Sequence, residues 1–166
     1  MAIRTIREYG DEILATPCKE VKRMTPGLAL LIGDMFDTMY EAGGVGLAGP
    51  QVGVLKRICV IDIGDGEDGE PQPYVFINPE IIKADGEQEG YEGCLSLPGK
   101  SGIVRRPNHV IVRALDRKME PFELEAEGLL ARAVCHEVDH LDGKMYVELV
   151  EGDLVNNEDI EQEKSE

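Results

Sequence analysis

The order of hydrophobic periods along this chain is what most constrains its fold. A helical period comes first, a long block of strand-like segments follows, and a second helical period comes after the strands. From about Pro26 to Ala42, Leu28, Leu31, Ile32, Met35 and Met39 recur at helical spacing and predict a core-facing helix. Thr25 suits the N-cap, Pro26 the first helical position and Gly43 the position just past the end. Arg57–Ile63 is a near-continuous apolar run and reads as a buried strand. Tyr74–Ala84, Ile103–Arg106, His109–Leu115 and Pro121–Glu127 read as further strands, and Gly64–Pro73 as a polar loop. The second helix is expected from about Gly128 to Leu141, closed by Gly143. Strands that do not alternate with helices speak against a doubly wound parallel sheet and for an α+β domain.

At 166 residues the chain is long enough for one domain with a core of its own. The expected division is one folded domain over residues 1–150 and an acidic, flexible tail over 151–166. Residues Glu148 to Glu166 hold eight acids and one lysine. A net charge of −16 argues against broad contact with nucleic acid or anionic lipid, both of which select basic surfaces. No apolar run is long enough to predict a membrane span. Cysteines stand at 18, 59, 94 and 135, widely spaced and without an export leader, so four free thiols and a cytoplasmic location are expected.

The strongest local signal is His136-Glu137-Val138-Asp139-His140. On a helix, residues four apart share one face, so two imidazoles there can grip one metal ion while Glu137 acts on its water. The bland reading is a pair of surface or capping histidines. A catalytic metal needs a third protein ligand and an open position. Cys94 stands out by context, in Glu92-Gly93-Cys94-Leu95-Ser96, but spacing alone leaves Cys59, Cys135, His109 and many carboxylates open. A third segment, Gly44-Val45-Gly46-Leu47-Ala48-Gly49-Pro50-Gln51, is either a plain connector or a substrate-lining loop. In the second case Gln51 can donate to a developing oxyanion.

Together and in this order, the three segments resemble the peptide deformylase family. That family carries a G-φ-G-φ-A-A-P/T-Q segment (φ apolar), an E-G-C-L-S segment and an H-E-x-D-H segment. The last two occur here letter for letter, and the first departs only in Gly49. The resemblance spans about residues 3 to 148. It implies an α+β fold with antiparallel strands packed around a central metal-binding helix and with an N-terminal helix. It implies one divalent metal ion held by Cys94, His136 and His140, Fe(II) in the cell, with Zn, Ni or Co able to occupy the site. It implies Glu137 as general base and then acid, with Gln51 and the Leu95 backbone N–H holding the oxyanion. The implied reaction is hydrolytic removal of the N-formyl group from the N-terminal methionine of nascent polypeptides, releasing formate. Main chain at Val45, Gly46 and Gly93 is expected to hold the peptide, and Leu129 and Ala133 to line an apolar pocket for the methionine side chain. Glu92 and Arg106 are expected to pair and fix the Cys94 loop. Asp139 either orients such a group or faces solvent.

Gly43 and Cys135 also depart from common family choices, an acid and a glutamine respectively. The acidic tail argues against docking to the ribosome by a basic helix. Transient ribosome contact stays open, and neither membrane nor direct nucleic-acid binding is expected. Three other readings remain: a zinc peptidase using His-Glu-x-x-His alone, a cysteine amidase with Cys94 as nucleophile, and a non-enzymatic metal-binding module.

Overall fold

The computed structural model describes residues 2–160. Helix α1 spans Pro26–Glu41, with Thr25 as N-cap accepting from the Leu28 N–H. Such a cap is worth about 1 kcal/mol. Helix α2 spans Gly128–Leu141. It stops where Gly143 enters the left-handed region at φ 77°, and a side chain there would meet the Ala15 carbonyl.

Among the described residues, eight strands form two antiparallel sheets. β1 (Gly46–Ala48), β2 (Ile58–Ile61), β3 (Tyr74–Asp85), β6 (His109–Leu115) and β7 (Pro121–Glu127) form a five-stranded sheet in the order β1-β2-β3-β6-β7. β4 (Gln88–Cys94), β5 (Leu97–Arg106) and β8 (Glu151–Asn156) form a three-stranded sheet in the order β4-β5-β8. The fold is therefore α+β, as the order of periods predicts.

The five-stranded sheet carries one helix on each face. Cys59 and Ile61 of β2 join the cluster packed on α2, while Ile58 and Val60 join the cluster packed on α1. Alternate residues of a strand point to opposite faces. A strand covered on both sides thus reads as continuous rather than alternating, which is why residues 58–61 form an unbroken apolar run. Helix α2 has the five-stranded sheet on one side and the β4–β5 hairpin on the other, so it is central.

One open choice is decided and one expectation is corrected. The segment Gly44–Gln51 is not a plain connector, because Gly46–Ala48 pairs with β2. The free tail does not begin at residue 151, because β8 pairs with β5 through Lys100–Asn156, Ser101–Val155 and Ile103–Glu151. Pairing covers the β5 edge, so acidic composition there marks an exposed strand rather than a loose chain. Residues 161–166 of that tail lie outside the described residues. β4 is a further strand, leading into Cys94, whose pattern the glycines at 90 and 93 interrupt.

Candidate metal centre

Helix α2 places His136 and His140 one turn apart, their ring centroids 4.9 Å from each other. Both are buried, as is Glu137 between them. Cys94 sits at the end of β4, where the ladder to β5 breaks register between Glu92 and Cys94. That break turns the thiol toward α2, and Cys94 Sγ lies 3.3 Å from His140 Nε2. One ligand atom from each of Cys94, His136 and His140 lies within 4.8 Å of the others.

This donor set fits a divalent cation. A tetrahedral ion with ordinary bond lengths spaces a sulfur and a nitrogen ligand about 3.5 Å apart, close to the observed separation. His136 Nδ1 is tied to Glu92 Oε1 at 2.5 Å, which leaves Nε2 for the site. Among the described residues, Glu137 Oε1 and His140 Nδ1 are buried without a protein partner. The Glu137 carboxylate therefore has acceptor capacity left beside the ligand cluster. Burial pushes its carboxyl up to about 7.

A buried ionic network braces these groups. Arg106 donates to both Glu92 oxygens, at 2.6 and 3.1 Å, so the pair expected from the sequence is present. The same guanidinium reaches Asp139 Oδ2 at 2.7 Å. Arg132 adds a bond of 2.9 Å to Glu92 Oε2. Burial alone would raise the Glu92 carboxyl, but hydrogen bonds from His136 and Arg106 outweigh it and hold it at about 2. Asp139 thus has a partner and is only partly exposed.

Gln51 lies in the short turn Gly49–Val52 after β1 and is 1% exposed. Its Oε1 accepts from the Ala48 N–H at 2.9 Å. Its Nε2 donates to Ser96 Oγ at 3.0 Å and, more weakly, to Cys94 Sγ at 3.4 Å. Gly46 is packed against the Glu137 carboxyl group, whose Cδ would stand 2.8 Å from any Cβ added there.

A cleft of about 590 Å³ opens over these groups. Val45, Gly46, Gln51, Gly93, Cys94, Leu95, Leu129, Ala133, His136 and Glu137 all line it. His140 does not; it lies beneath, fully buried, and meets the cluster through Cys94 Sγ. Two expected residues differ in detail. Leu129 is 55% exposed and stands at the mouth rather than the floor, because it belongs to the first turn of α2. Val45 uses its carbonyl within the five-stranded sheet, accepting from the Asp62 N–H at 2.8 Å. In an antiparallel edge strand the alternate residue, Gly46, then turns its backbone outward. The edges of β1 and β4 are both unpaired with other strands.

The remaining cysteines are free and stand apart from this chemistry. Cys59 and Cys135 are core residues whose thiols burial pushes up, Cys135 to about 11. Residues missed by sequence reading are Arg132, Ser96 and Tyr146, the last stacked on His136 with ring centroids 5.8 Å apart. Arg132 left one signal: a lone arginine four residues before His136, on the same helical face.

Residues 3–153 match the polypeptide deformylase family. The chain belongs to the peptide deformylase family. A peptide deformylase from Lachnoclostridium phytofermentans is 59% identical over 167 residues, covering 100% of both chains. The crystal structure of a peptide deformylase from Legionella pneumophila superposes with a TM-score of 0.85 at 48% identity, covering 90% of this chain and 87% of that one. A Synechococcus elongatus peptide deformylase, solved in complex with actinonin, gives a TM-score of 0.84 at 41% identity, covering 92% of this chain and 89% of that one. The family is metal-dependent and removes the N-formyl group from the N-terminal methionine of nascent polypeptides. No described helix is long and apolar enough to cross a membrane.

Proposed function

We propose that Cys94, His136 and His140 hold the single divalent ion of this deformylase, Fe(II) in the cell, and that Glu137 is its proton carrier. The observation that carries this reading is one constellation: a thiol and two imidazoles converge within 4.8 Å at the base of a cleft, beside a buried carboxylate with a free oxygen. When bound, the ion supplies Lewis acidity and makes a water ligand acidic near neutral pH.

The residues account for the remaining steps. Glu137 takes a proton from the attacking water as its oxygen bonds to the formyl carbon. It then returns that proton to the amide nitrogen as the carbon–nitrogen bond breaks, giving formate and a free amino terminus. Gln51 Nε2, through the N–H now directed weakly at Cys94 Sγ, and the Leu95 N–H donate to the formyl oxygen as it gains charge. Each such donor lowers the barrier by about 3 kcal/mol. Burial favours this arrangement, because fixed dipoles act more strongly where water is excluded.

An extended peptide fits between the open β1 and β4 edges, held by main chain at Gly46 and Gly93, with Val45 on the rim. Ala133 walls the apolar pocket for the methionine side chain, and Leu129 stands at its mouth. One catalytic domain takes in the strand at 151–156 as well as the residues before it, and the enzyme works on nascent chains in the cytoplasm. The acidic composition of the C-terminal segment argues against docking on the ribosome through a basic helix.

The test is formate release from formyl-Met-Ala-Ser by anaerobically purified protein with its metal counted. Expected are about one iron per chain, turnover abolished by a chelator, and loss of both metal and turnover in Cys94→Ala. Full activity in metal-free protein, or in Glu137→Ala with metal bound, would overturn the assignment.

A further inference from the structure

The two groups assigned to the formyl oxygen come from different sheets. Gln51 follows β1 of the five-stranded sheet, and Leu95 sits at the tip of the β4–β5 hairpin in the three-stranded sheet. No strand pairing joins the two sheets among the described residues. Something else must set the distance between the two donors.

The N-terminal segment bridges the two sheets through backbone hydrogen bonds. The Arg7 N–H donates to the Gln51 carbonyl at 2.7 Å. Two residues later the Tyr9 N–H donates to the Ser96 carbonyl, also at 2.7 Å. Gln51 Nε2 closes the loop by donating to Ser96 Oγ at 3.0 Å. The segment is itself pinned on both sides. Upstream, Arg4 pairs with buried Asp34 at 3.0 Å, and its N–H donates to Thr38 Oγ1 at 2.9 Å, both on α1. Downstream, Asp11 caps the next turn through the Ile13 N–H at 3.1 Å. The side chains of the segment are largely outside: Tyr9 is 57% exposed, while Ile6 lines the cleft. Across the same gap Leu95 rests on Gly44, where an added Cβ would stand 2.9 Å from Leu95 Cγ.

We propose that Ile6–Tyr9 is a positioning strap whose Arg7 and Tyr9 N–H groups lock the Gln51 turn to the Leu95–Ser96 tip and so set the separation of the two oxyanion donors. The proposal rests on the deformylase reading of Gln51 and Leu95. It makes these positions important through their backbone, not their side chains. Misplacing catalytic groups by about 1 Å is enough to cost on the order of 100-fold in rate.

The test compares proline with alanine, in the full metal-loaded chain. Tyr9→Pro and Arg7→Pro each delete one N–H donor. Tyr9→Ala keeps the donor and removes only the exposed ring. Expected is a fall in kcat of about 10- to 100-fold for the proline variants, with KM within about threefold and metal content unchanged. Hydrogen–deuterium exchange across residues 92–98 is expected to speed up in the same variants. Tyr9→Ala is expected to stay within about twofold of wild type by both readouts. Thr38→Val and Asp34→Asn, which release the anchor on α1, give a second route if a proline variant fails to fold. They are expected to show the same faster exchange with a smaller loss of kcat.

Proline variants that keep kcat within twofold, or an alanine variant that falls as far as they do, would overturn the strap alone. Unchanged exchange at 92–98 after anchor release would do the same. A wild-type enzyme inactive on formyl peptides at full metal would instead overturn the reading beneath it.

Discussion

Replacing Glu92 by Gln is expected to destabilise the metal-free protein by about 3 kcal/mol at pH 7. Glu92 Oε1 accepts from Arg106 Nη2 at 2.6 Å and from His136 Nδ1 at 2.5 Å. Glu92 Oε2 accepts from Arg106 Nε at 3.1 Å and Arg132 Nη1 at 2.9 Å. Its side chain is 5% exposed, so little solvent screens these bonds. The carboxyl is held at about 2 against an ordinary 4.5. That gap corresponds to about 3 kcal/mol in favour of the ionised folded state. A second estimate agrees, since removing one partner from a buried pair costs about 3–5 kcal/mol. The folded value lies below the unfolded one, so this stability is present above pH 4.5 and is lost as pH falls toward 2. The assay is urea unfolding of wild type and Glu92→Gln in EDTA at several pH values. The difference is expected to shrink to about 1 kcal/mol at pH 3. A difference below 1 kcal/mol at pH 7, or one that does not change between pH 7 and 3, would refute the reasoning.

Glu137→Gln is expected to lower kcat by about 10²- to 10⁴-fold with metal content intact, measured by formate release on metal-counted protein. Burial pushes the Glu137 carboxyl up to about 7, and only its ionised form can accept the proton, so kcat/KM falls on acidification. A bound cation moves that limb to lower pH, and a rate that rises on acidification contradicts the role. Gly46→Ala drives a methyl group against the Glu137 carboxyl and is expected to cost about 100-fold in kcat/KM with little change in Tm. Activity within threefold of wild type would show that Glu137 tolerates displacement. His109 lies between Glu125 and Asp85, at 2.6 and 3.1 Å, which raise its pKa. That contribution is full below its unfolded value and is lost as pH rises through the folded one. The Tm deficit of His109→Gln is therefore expected to be larger at pH 5.5 than at pH 9, and the reverse order would contradict the pairing.

Much of the candidate site was legible because it is local. His136 and His140 owe their shared face, and Glu137 its place between them, to helical geometry alone, and that geometry follows from the apolar period and the glycine at 143. Helix α1 was readable for the same reason, from its stripe, its Thr25 cap and Pro26. The β4 strand was only faintly legible, since its glycines blur the period that marks a strand. The acidic segment 151–156 misled because composition reports solvation, whereas strand pairing reports an available edge. Arg132 and Tyr146 lie outside the three motifs, and Ser96 lies inside one that names no role for it; all three matter through what they touch.

The sequence by itself determined the periods, the caps, the acidic surface and three short segments whose residue types suit one chemistry. Those are properties of neighbours along the chain, where distances are set by covalent geometry. Only the tertiary structure decided that Cys94, 42 positions before His136, meets that helix face, because a register break in one sheet aims the thiol at a helix packed on another. It also decided that Arg7 and Tyr9 hydrogen-bond to residues far along the chain, one beside each sheet. Contacts of that range depend on how whole faces pack, and no local pattern of residues encodes them.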